Sequence, residues 1–302
     1  MLTGIIDIGS NTIRLAVYEV QDGQVTLLAK KKNLFGLAAY IDDGCLSQFG
    51  IDMAAEAIRE YRVWLKVLKV DNDVAYATGA LRNVANSRAA VAALEEKSGV
   101  HIRILSGEEE ATFAFTGLMY DAAADSGLVA DIGGASTELI YFREREIVRK
   151  VSLPIGSLAM YKECVGGLLP TATERAAIEA KAAELIREAD FVAPPNVRLC
   201  GIGGTFKSAL ALGNAYFRLE ADNKLLTWEQ AQILRRRFAG DGDYSQRDAV
   251  ALLQAVPDRL HVLFPGLSIA AAVVRAFGCE EIMYSDSGVR EGFLRAEVLQ
   301  RN

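Results

Sequence analysis

Two segments of this chain follow the same pattern, and their repetition limits the folds available to it. Each has an apolar run, the tripeptide Asp-Ile-Gly, a group of small and hydroxyl residues, and a second apolar run; they span Gly4–Leu15 and Leu128–Leu139. This pattern predicts a strand, a tight turn and an antiparallel strand in both places. Because Asp7 and Asp131 hold the same place in the two segments, we interpret the pair as an internal duplication.

The turn of each segment is suited to an anion. Turns with few side chains let backbone N–H groups approach a phosphate. Hydroxyl groups add donors at Ser10, Thr12, Ser136 and Thr137. The aspartate that ends each first strand can hold a divalent cation or orient a water. One such turn is usually only a hairpin, but two of them predict a duplicated domain that binds phosphate from both sides.

The length and composition of the chain limit its domain number and the kinds of molecule that it can bind. A chain of 302 residues is long enough for about two domains of ~100–200 residues each. The net charge of −6 argues against a global basic field that would bind nucleic acid or a membrane surface. Four widely spaced cysteines and two histidines offer no pattern for a zinc site. With neither an apolar leader nor an apolar run near ~20 residues, we expect a cytoplasmic protein.

The order of predicted elements repeats as well. The first unit is predicted to have strands at 3–8, 13–20 and 24–29, then a helix over 52–69. The pattern restarts at Leu128, with strands at 128–132, 137–142 and 146–151. Capping boxes predict helix starts at Thr171, Thr227 and Ser245. Strands followed by alternating helices and strands indicate α/β units. We predict domains over 1–122 and 123–302, with the last helix able to pack back on the first.

Three consecutive glutamates lie in the segment Ser106–Ala111. Ser106 and Glu109 form a capping box, and Glu108 suits the positive end of the helix dipole. Capping and the helix dipole explain the presence of Glu110 less well than that of its two neighbours, so Glu110 is the candidate functional carboxylate. With no suitable histidine, a glutamate is the natural group to orient or deprotonate an attacking water. The spacing alone fits a solvent-exposed face equally well.

Other segments carry donors for phosphate. Arg82 follows a predicted strand, where a guanidinium suits phosphate oxygens, although a surface ion pair explains it equally well. Gly201–Thr205 joins a strand to a helix whose first N–H groups can bind an anion. It matches a dinucleotide fingerprint poorly, and no Walker A sequence is present. The run Lys30–Lys32 follows the third predicted strand, and we prefer a solvated strand end to a polyanion contact.

With these motifs placed, the chain resembles the exopolyphosphatase and guanosine pentaphosphate phosphohydrolase (Ppx/GppA) family, of the actin, sugar kinase and Hsp70 superfamily. The resemblance covers nearly the whole length and rests on Asp7–Thr12, Ala77–Arg82, Leu105–Ala111, Asp131–Glu138, Gly203–Thr205 and Tyr284–Gly292. It implies an α/β fold with two ribonuclease-H-like (actin/sugar kinase/Hsp70-type) domains and a cleft between them. It also implies hydrolysis of phosphoanhydrides with a divalent cation, Mg²⁺ or Mn²⁺.

The resemblance also implies residue roles by position. Glu110 would activate water, with Asp131 and Glu138 as further catalytic residues. Asp7, Asp131 and Glu138 would be the metal ligands. Phosphate would be bound by Gly9, Ser10, Asn11, Arg82, Gly133, Gly134, Ala135, Ser136, Gly203, Gly204 and Thr205.

Three departures from the family pattern limit how far the family's residue roles apply to this chain. Ala135 stands where a third glycine is common, and its Cβ would crowd a ligand or forbid a positive φ. Leu34–Tyr40 replaces a stretch that usually contains Arg-Leu-Gly, so a polyanion contact is missing. The chain stops at Asn302 and neither histidine lies in a His-Asp pattern, so it resembles the short members without an HD-like domain.

We therefore expect a metal-dependent hydrolase that releases terminal orthophosphate from inorganic polyphosphate. Two alternatives stay open: removal of the 5′ γ-phosphate of pppGpp, a guanosine polyphosphate, and a low-turnover regulator that binds polyphosphate or nucleotide. A sugar kinase is disfavoured because no acceptor pocket or aspartate base can be placed. Neither nucleic acid nor a membrane is expected as a partner, and a homodimer stays open.

Overall fold

The chain divides into two compact units. The structure is a computed structural model that describes residues 1–34, 36–121, 124–220 and 222–299. One unit contains Met1–Glu110 with Leu294–Asn302, and the other contains Ala111–Phe293. The domain boundary predicted from the sequence falls on residues 122 and 123, which lie outside the described residues. We refer to these bodies as unit 1 and unit 2.

The strands show that the two units share one architecture. They are β1 (Leu2–Ile8), β2 (Ile13–Gln21), β3 (Gln24–Asn33), β4 (Ile41–Asp42), β5 (Cys45–Leu46), β6 (Asn72–Ala77), β7 (Ile102–Ile104), β8 (Gly127–Ile132), β9 (Thr137–Arg143), β10 (Glu146–Leu153), β11 (Leu199–Ile202), β12 (Leu225–Thr227) and β13 (Glu281–Tyr284). Unit 1 has the strand order β3-β2-β1-β6-β7, and unit 2 has β10-β9-β8-β11-β13-β12. In each, an antiparallel meander of three strands is continued by two parallel strands. The predicted α/β duplication is confirmed.

Helices cover these sheets. They are α1 (Gln48–Val67), α2 (Gly79–Arg82), α3 (Ser87–Ser98), α4 (Gly107–Asp121), α5 (Ser157–Cys164), α6 (Ala172–Glu188), α7 (Gly203–Phe217), α8 (Trp228–Arg237), α9 (Gln246–Ala255), α10 (Leu260–Phe277) and α11 (Val289–Phe293). Short 3₁₀ turns span Leu37–Tyr40 and Pro257–Arg259, and a π-helical segment spans Leu294–Leu299. The capping boxes predicted at Thr171, Thr227 and Ser245 are confirmed.

In unit 1, one face of the sheet packs against α1. This helix begins at its N-cap Ser47, whose hydroxyl accepts a hydrogen bond from the N–H of Gly50. Its buried side chains recur at helical spacing and meet Ile6, Ile8 and Leu15 in one apolar core. The opposite face of β1 and β2 therefore carries Asp7, because successive strand residues alternate between faces.

In unit 2, α10 lies in the core beside α5, α6 and α7. The segment Pro257–Phe277, which joins the preceding 3₁₀ turn to α10, is long and apolar enough to span a membrane, with a mean hydropathy of 1.7 over its most apolar 18 residues. The expectation that no apolar run approaches this length was wrong. That window is 78% buried in the structure, so packing inside unit 2 accounts for its apolar character.

The other face of the unit 2 sheet packs against α4. Ala111, Ala114 and Leu118 of this helix lie against Val129 and Ile140 in a second core cluster. The C-terminal glycine motif supports the same helix, because a methyl group at Gly292 would lie 1.8 Å from the carbonyl oxygen of Phe113. This part of the motif is a packing element.

One sequence interpretation needs correction. Lys30–Lys32 do not follow the third strand but lie inside β3, which extends to Asn33. Pairing with β2 continues through this segment, with Arg14 opposite Lys32 and Ala16 opposite Lys30. The backbone hydrogen bonds of the first half of β2 thus hold the lysine run in strand conformation.

Candidate phosphate site

The two Asp-Ile-Gly turns have the same backbone hydrogen bond. The N–H of Gly9 donates to the carbonyl of Thr12 at 3.0 Å, and the N–H of Gly133 donates to the carbonyl of Ser136 at 2.9 Å. A methyl group at either glycine would lie 3.1–3.2 Å from that carbonyl oxygen. Both turns are therefore tight, as the sequence predicted.

The second turn presents its N–H groups in one direction. The carbonyls of Gly133 and Gly134 accept hydrogen bonds from Ser157 (2.8 Å) and Leu158 (3.0 Å) at the start of α5. In a trans peptide the N–H points opposite to the preceding C=O. The N–H groups of Gly134 and Ala135 therefore face away from α5, which is the geometry of an anion-binding turn.

The first turn also presents its N–H groups in one direction, but a different segment holds it in place. The carbonyls of Ser10 and Asn11 accept hydrogen bonds from the N–H groups of Ala38 and Gly36, both at 3.1 Å. By the same peptide geometry, the N–H groups of Asn11 and Thr12 point away from that segment. Gly36 has a φ of 59°, a conformation that favours glycine. Leu34–Tyr40, which replaces the family's Arg-Leu-Gly stretch, thus anchors the turn through described backbone groups.

Asp131 and Glu138 lie opposite each other on neighbouring strands of unit 2. They share the sheet face of Val129 and Ile140, the face that α4 covers. Glu138 is 1% exposed, and its Oε1 accepts a hydrogen bond from Ser152 Oγ at 2.7 Å. Two like charges in this position repel each other, so the pair is suited to a cation.

The Gly203–Thr205 segment borders Asp131. Gly203 has a φ of 78°, and a methyl group there would lie 2.4 Å from Asp131 Oδ1. The hydroxyl of Thr205 donates to the carbonyl of Ile132 at 3.0 Å. The first turn of α7 is therefore fixed next to the second Asp-Ile-Gly turn.

Sequence reasoning missed Arg259. A methyl group at Gly204 would lie 2.2 Å from an Arg259 nitrogen, so the guanidinium packs directly on the first turn of α7. Burial and then the charge of Arg259 lower the pKa of the neighbouring His261. No spacing pattern in the sequence connects Arg259 with Gly204.

In unit 1, Arg82 contacts Glu110. Arg82 Nη1 lies 2.7 Å from Glu110 Oε2 and donates to the carbonyl of Leu105 at 3.0 Å. Glu110 is 7% exposed. The candidate base and the candidate phosphate-binding arginine are thus in direct contact.

The three consecutive glutamates have different environments. Glu109 forms the capping box with Ser106, and hydrogen bonding from the Ser106 backbone, with Arg103, lowers its pKa. Glu108 is exposed, whereas Glu110 is buried. The helix-start assignment of Glu109 is confirmed.

Asp7 has a different partner from Asp131. It lies opposite Arg14 in the β1–β2 register, with Arg14 Nη1 3.9 Å from Asp7 Oδ2. Arg14 Nε also donates to Thr12 Oγ1 at 2.9 Å. The first turn therefore has a cation where the second has Glu138.

The acidic side chains near the turns can be compared with the ligands that Mg²⁺ needs. Within the described ranges no three His, Cys, Asp or Glu side chains cluster closely enough to hold a metal ion. Mg²⁺ is commonly bound by one or two carboxylates, with waters and substrate phosphates completing its octahedron. The Asp131–Glu138 pair therefore fits this ion as a partial site.

Comparisons with known proteins agree with the motifs. The sequence model of the Ppx/GppA phosphatase family matches residues 16–301. A guanosine-5′-triphosphate,3′-diphosphate pyrophosphatase of Aeromonas hydrophila is 28% identical over 297 residues, covering 97% of this chain and 58% of the relative. One of Pseudoalteromonas atlantica is 27% identical over 309 residues, covering 100% and 60%. The chain thus spans less than two thirds of the length of these relatives.

Solved structures share the fold. An exopolyphosphatase from Cytophaga hutchinsonii aligns with a TM-score of 0.85 at 22% identity, over 98% of this chain and 97% of that one. A Ppx/GppA family member from Aquifex aeolicus aligns with a TM-score of 0.78 at 23% identity, over 100% and 99%. With the family match over almost all of the sequence, this chain belongs to the Ppx/GppA phosphatase family.

Proposed function

We propose that this chain hydrolyses phosphoanhydride bonds and releases terminal orthophosphate from inorganic polyphosphate. The observation that carries the proposal is the second Asp-Ile-Gly turn. The N–H groups of Gly134 and Ala135 face away from α5 there, and Asp131, its strand partner Glu138 and the first turn of α7 lie beside the turn. Phosphoryl transfer needs a group that positions water and positive charge on the phosphate oxygens.

Glu110 is the proposed base. Its carboxylate accepts a proton from water as the water oxygen bonds to the terminal phosphorus, and the bridging P–O bond breaks. The bridging oxygen leaves with its electron pair as the new end of the shortened chain. Arg82 supports this role because its contact with Glu110 Oε2 holds the carboxylate in one orientation.

Phosphate binding is assigned to backbone groups and cations. The N–H groups of Gly134 and Ala135, the first turn of α7 and Arg259 are the donors proposed in unit 2. Asp131 and Glu138 would hold Mg²⁺ or Mn²⁺, which when bound neutralises phosphate oxygens. Asp7 stays a predicted metal ligand, and in unit 1 the turn donors and Arg82 stay predicted phosphate contacts.

A second candidate is hydrolysis of the 5′ γ-phosphate of pppGpp. The names of the curated relatives favour it, since both are described as guanosine-5′-triphosphate,3′-diphosphate pyrophosphatases. Turn N–H groups recognise the terminal phosphate of either substrate equally well. A side-by-side assay of phosphate release from polyphosphate, tripolyphosphate, pppGpp and ATP separates the two.

The first prediction is that Glu110→Gln lowers turnover by ~10²–10⁴-fold, as expected for loss of a general base. The amide keeps the size of the side chain, so folding and polyphosphate binding should persist. Glu108→Gln is the matched control, because it removes the same charge from an exposed position in the same helical turn. Phosphate release and calorimetric binding measure both properties.

Two results would contradict this assignment. If Glu108→Gln were inactive and Glu110→Gln fully active, Glu110 would not be the base. If the unaltered protein bound polyphosphate with no phosphate release in the presence of Mg²⁺, the regulator alternative would replace the hydrolase.

A further inference from the structure

Arg103 joins two acidic residues that lie far apart in the sequence. It lies on β7 beside Ile102, whose side chain is buried in the core of unit 1. Because neighbouring strand residues point to opposite faces, the guanidinium lies on the other face of the sheet. There Arg103 Nη2 contacts Glu109 Oε1, and Arg103 Nη1 lies 3.0 Å from Glu297 Oε2. The two ends of one planar group thus bind different carboxylates.

Glu109 connects this ion pair with the first turn of α4. Its Oε2 accepts a hydrogen bond from the N–H of Ser106 at 2.8 Å, and its own N–H donates to Ser106 Oγ at 3.1 Å. The next residue is Glu110, whose N–H donates to the carbonyl of Ser106 at 2.9 Å. Arg103 therefore binds the carboxylate that closes the turn from which Glu110 projects.

The second partner of Arg103 lies in the C-terminal segment. Leu294 and Val298 of its π-helical part are buried, and their packing holds the segment in place within unit 1. Glu297 lies between them in the sequence, with its side chain 20% exposed. Single turns of π-helix are rare and occur frequently at functional sites. The C-terminal segment thus presents a carboxylate at a fixed place beside the guanidinium that binds Glu109.

Unit 1 has another ion pair of similar exposure for comparison. Lys97 Nζ lies 3.0 Å from Asp52 Oδ1, with side chains 41% and 49% exposed, and the pair joins α3 to α1. The corresponding values for Arg103 and Glu109 are 36% and 37%. Isolated surface pairs contribute little to stability. Arg103 therefore differs from Lys97 in its position at the capped turn before Glu110, and not in the strength of one ion pair.

We infer that Arg103 and Glu297 are positioning residues for hydrolysis, which fix the capped first turn of α4 and with it the backbone of Glu110. This inference rests on the proposed function, in which Glu110 is the base. Arg82 holds the Glu110 carboxylate itself, whereas Arg103 acts one residue earlier, on the helix cap. Because a misplacement of about 1 Å at a reacting group can cost about 10²-fold in rate, a small shift of this turn is enough to slow turnover.

The test compares kcat and KM for phosphate release from long polyphosphate. Arg103→Gln should lower kcat about tenfold with KM nearly unchanged, since the proposed phosphate donors stay in place. Glu297→Gln should lower kcat less, by about threefold, because Arg103 keeps its contact with Glu109. The double variant should lose no more than Arg103→Gln alone, since Glu297 acts only through Arg103. Lys97→Gln is the matched control, and its kcat should stay close to that of the unaltered protein.

A second measurement follows the turn without turnover. The amides of Glu109 and Glu110 both donate to Ser106, so their hydrogen exchange reports whether the cap is closed. Exchange at these two amides should be faster in Arg103→Gln and unchanged in Lys97→Gln.

Three outcomes would overturn the positioning role. They are an unchanged kcat in Arg103→Gln, additive losses in the double variant, and an equal loss of kcat in Lys97→Gln, which would mean general destabilisation. The proposed function is tested separately, by phosphate release from the unaltered protein and from Glu110→Gln. Release that persists in Glu110→Gln would remove the proposed base. Unchanged exchange at Glu109 and Glu110 in Arg103→Gln would remove the positioning role alone.

Discussion

The two Asp-Ile-Gly turns have almost the same backbone hydrogen bond but different charges beside them. Each is closed by one hydrogen bond from its glycine N–H to the carbonyl three residues later. Across the strand pair, however, Asp7 faces Arg14 and Asp131 faces Glu138. Like charges directly opposite each other are unfavourable in a sheet. The second strand of each segment therefore gives the two turns different electrostatic surroundings, an arginine beside the first and a second carboxylate beside the second.

The segments whose N–H groups donate hydrogen bonds to the two turns also differ. In unit 2 the carbonyls of the turn face the N-terminus of α5, so a helix dipole fixes the loop. In unit 1 they face the start of the 3₁₀ segment Leu37–Tyr40. We expect the second turn to be the more rigid of the two, because its anchor is a longer helix packed in the core.

The largest expected effect tests the charge difference directly. Excess chelator should abolish hydrolysis, and Mg²⁺ or Mn²⁺ should restore it. Glu138→Gln should lower activity by ~10²-fold or more at fixed magnesium, because charge neutralisation in the transition state weakens. Arg14→Gln should instead raise KM for polyphosphate without a change in the magnesium requirement. Magnesium titrations of phosphate release measure both.

Full activity in excess chelator would contradict a metal role. If Arg14→Gln altered the magnesium requirement as strongly as Glu138→Gln, both turns would hold the metal and the charge difference would have no functional meaning.

A prediction of intermediate size tests the contacts that hold the two turns in place. Gly156→Ala would place a methyl group 2.4 Å from the backbone N of Ala135 and the carbonyl carbon of Gly134, so the second turn has to shift. We expect a loss of about 10²-fold in turnover, the cost of a displacement near 1 Å at a reacting group. Gly36→Ala has open space apart from Ala39 Cβ at 3.9 Å, and its cost is the positive φ, roughly 1–2 kcal/mol of stability.

Phosphate release and thermal unfolding distinguish the two variants. Gly156→Ala should lose much more activity than its loss of stability would explain. Gly36→Ala should lose stability while it keeps most of its activity. Normal turnover in Gly156→Ala would show that the geometry of the second turn is not needed for hydrolysis.

The sequence predicted local features well. The duplicated turns, the strand meanders and four capping boxes depend on residues within a few positions of each other, and all are confirmed. The predicted end of the third strand was wrong, because pairing with β2 continues through the lysine run to Asn33. Gly156 and Arg259 could not be predicted, since their importance comes from contacts with residues far away in the sequence. The roles of Glu110, Asp131 and Glu138 stay predictions.

The smallest expected effect concerns Ala135, the alanine at a position where family members commonly have glycine. Its φ is not in the positive range, and the matching residue of the first turn, Asn11, is likewise neither glycine nor at positive φ. A Cβ is therefore compatible with this turn in both units. We predict that Ala135→Gly leaves phosphate release nearly unchanged and lowers the free energy of unfolding by ~0.4–1 kcal/mol, because glycine adds freedom to the unfolded chain. Denaturant unfolding and steady-state phosphate release check the two parts. A large gain in activity would mean instead that the methyl group holds the second turn away from its ligand, so that the natural protein is a damped hydrolase and the two turns are less alike in function than in backbone.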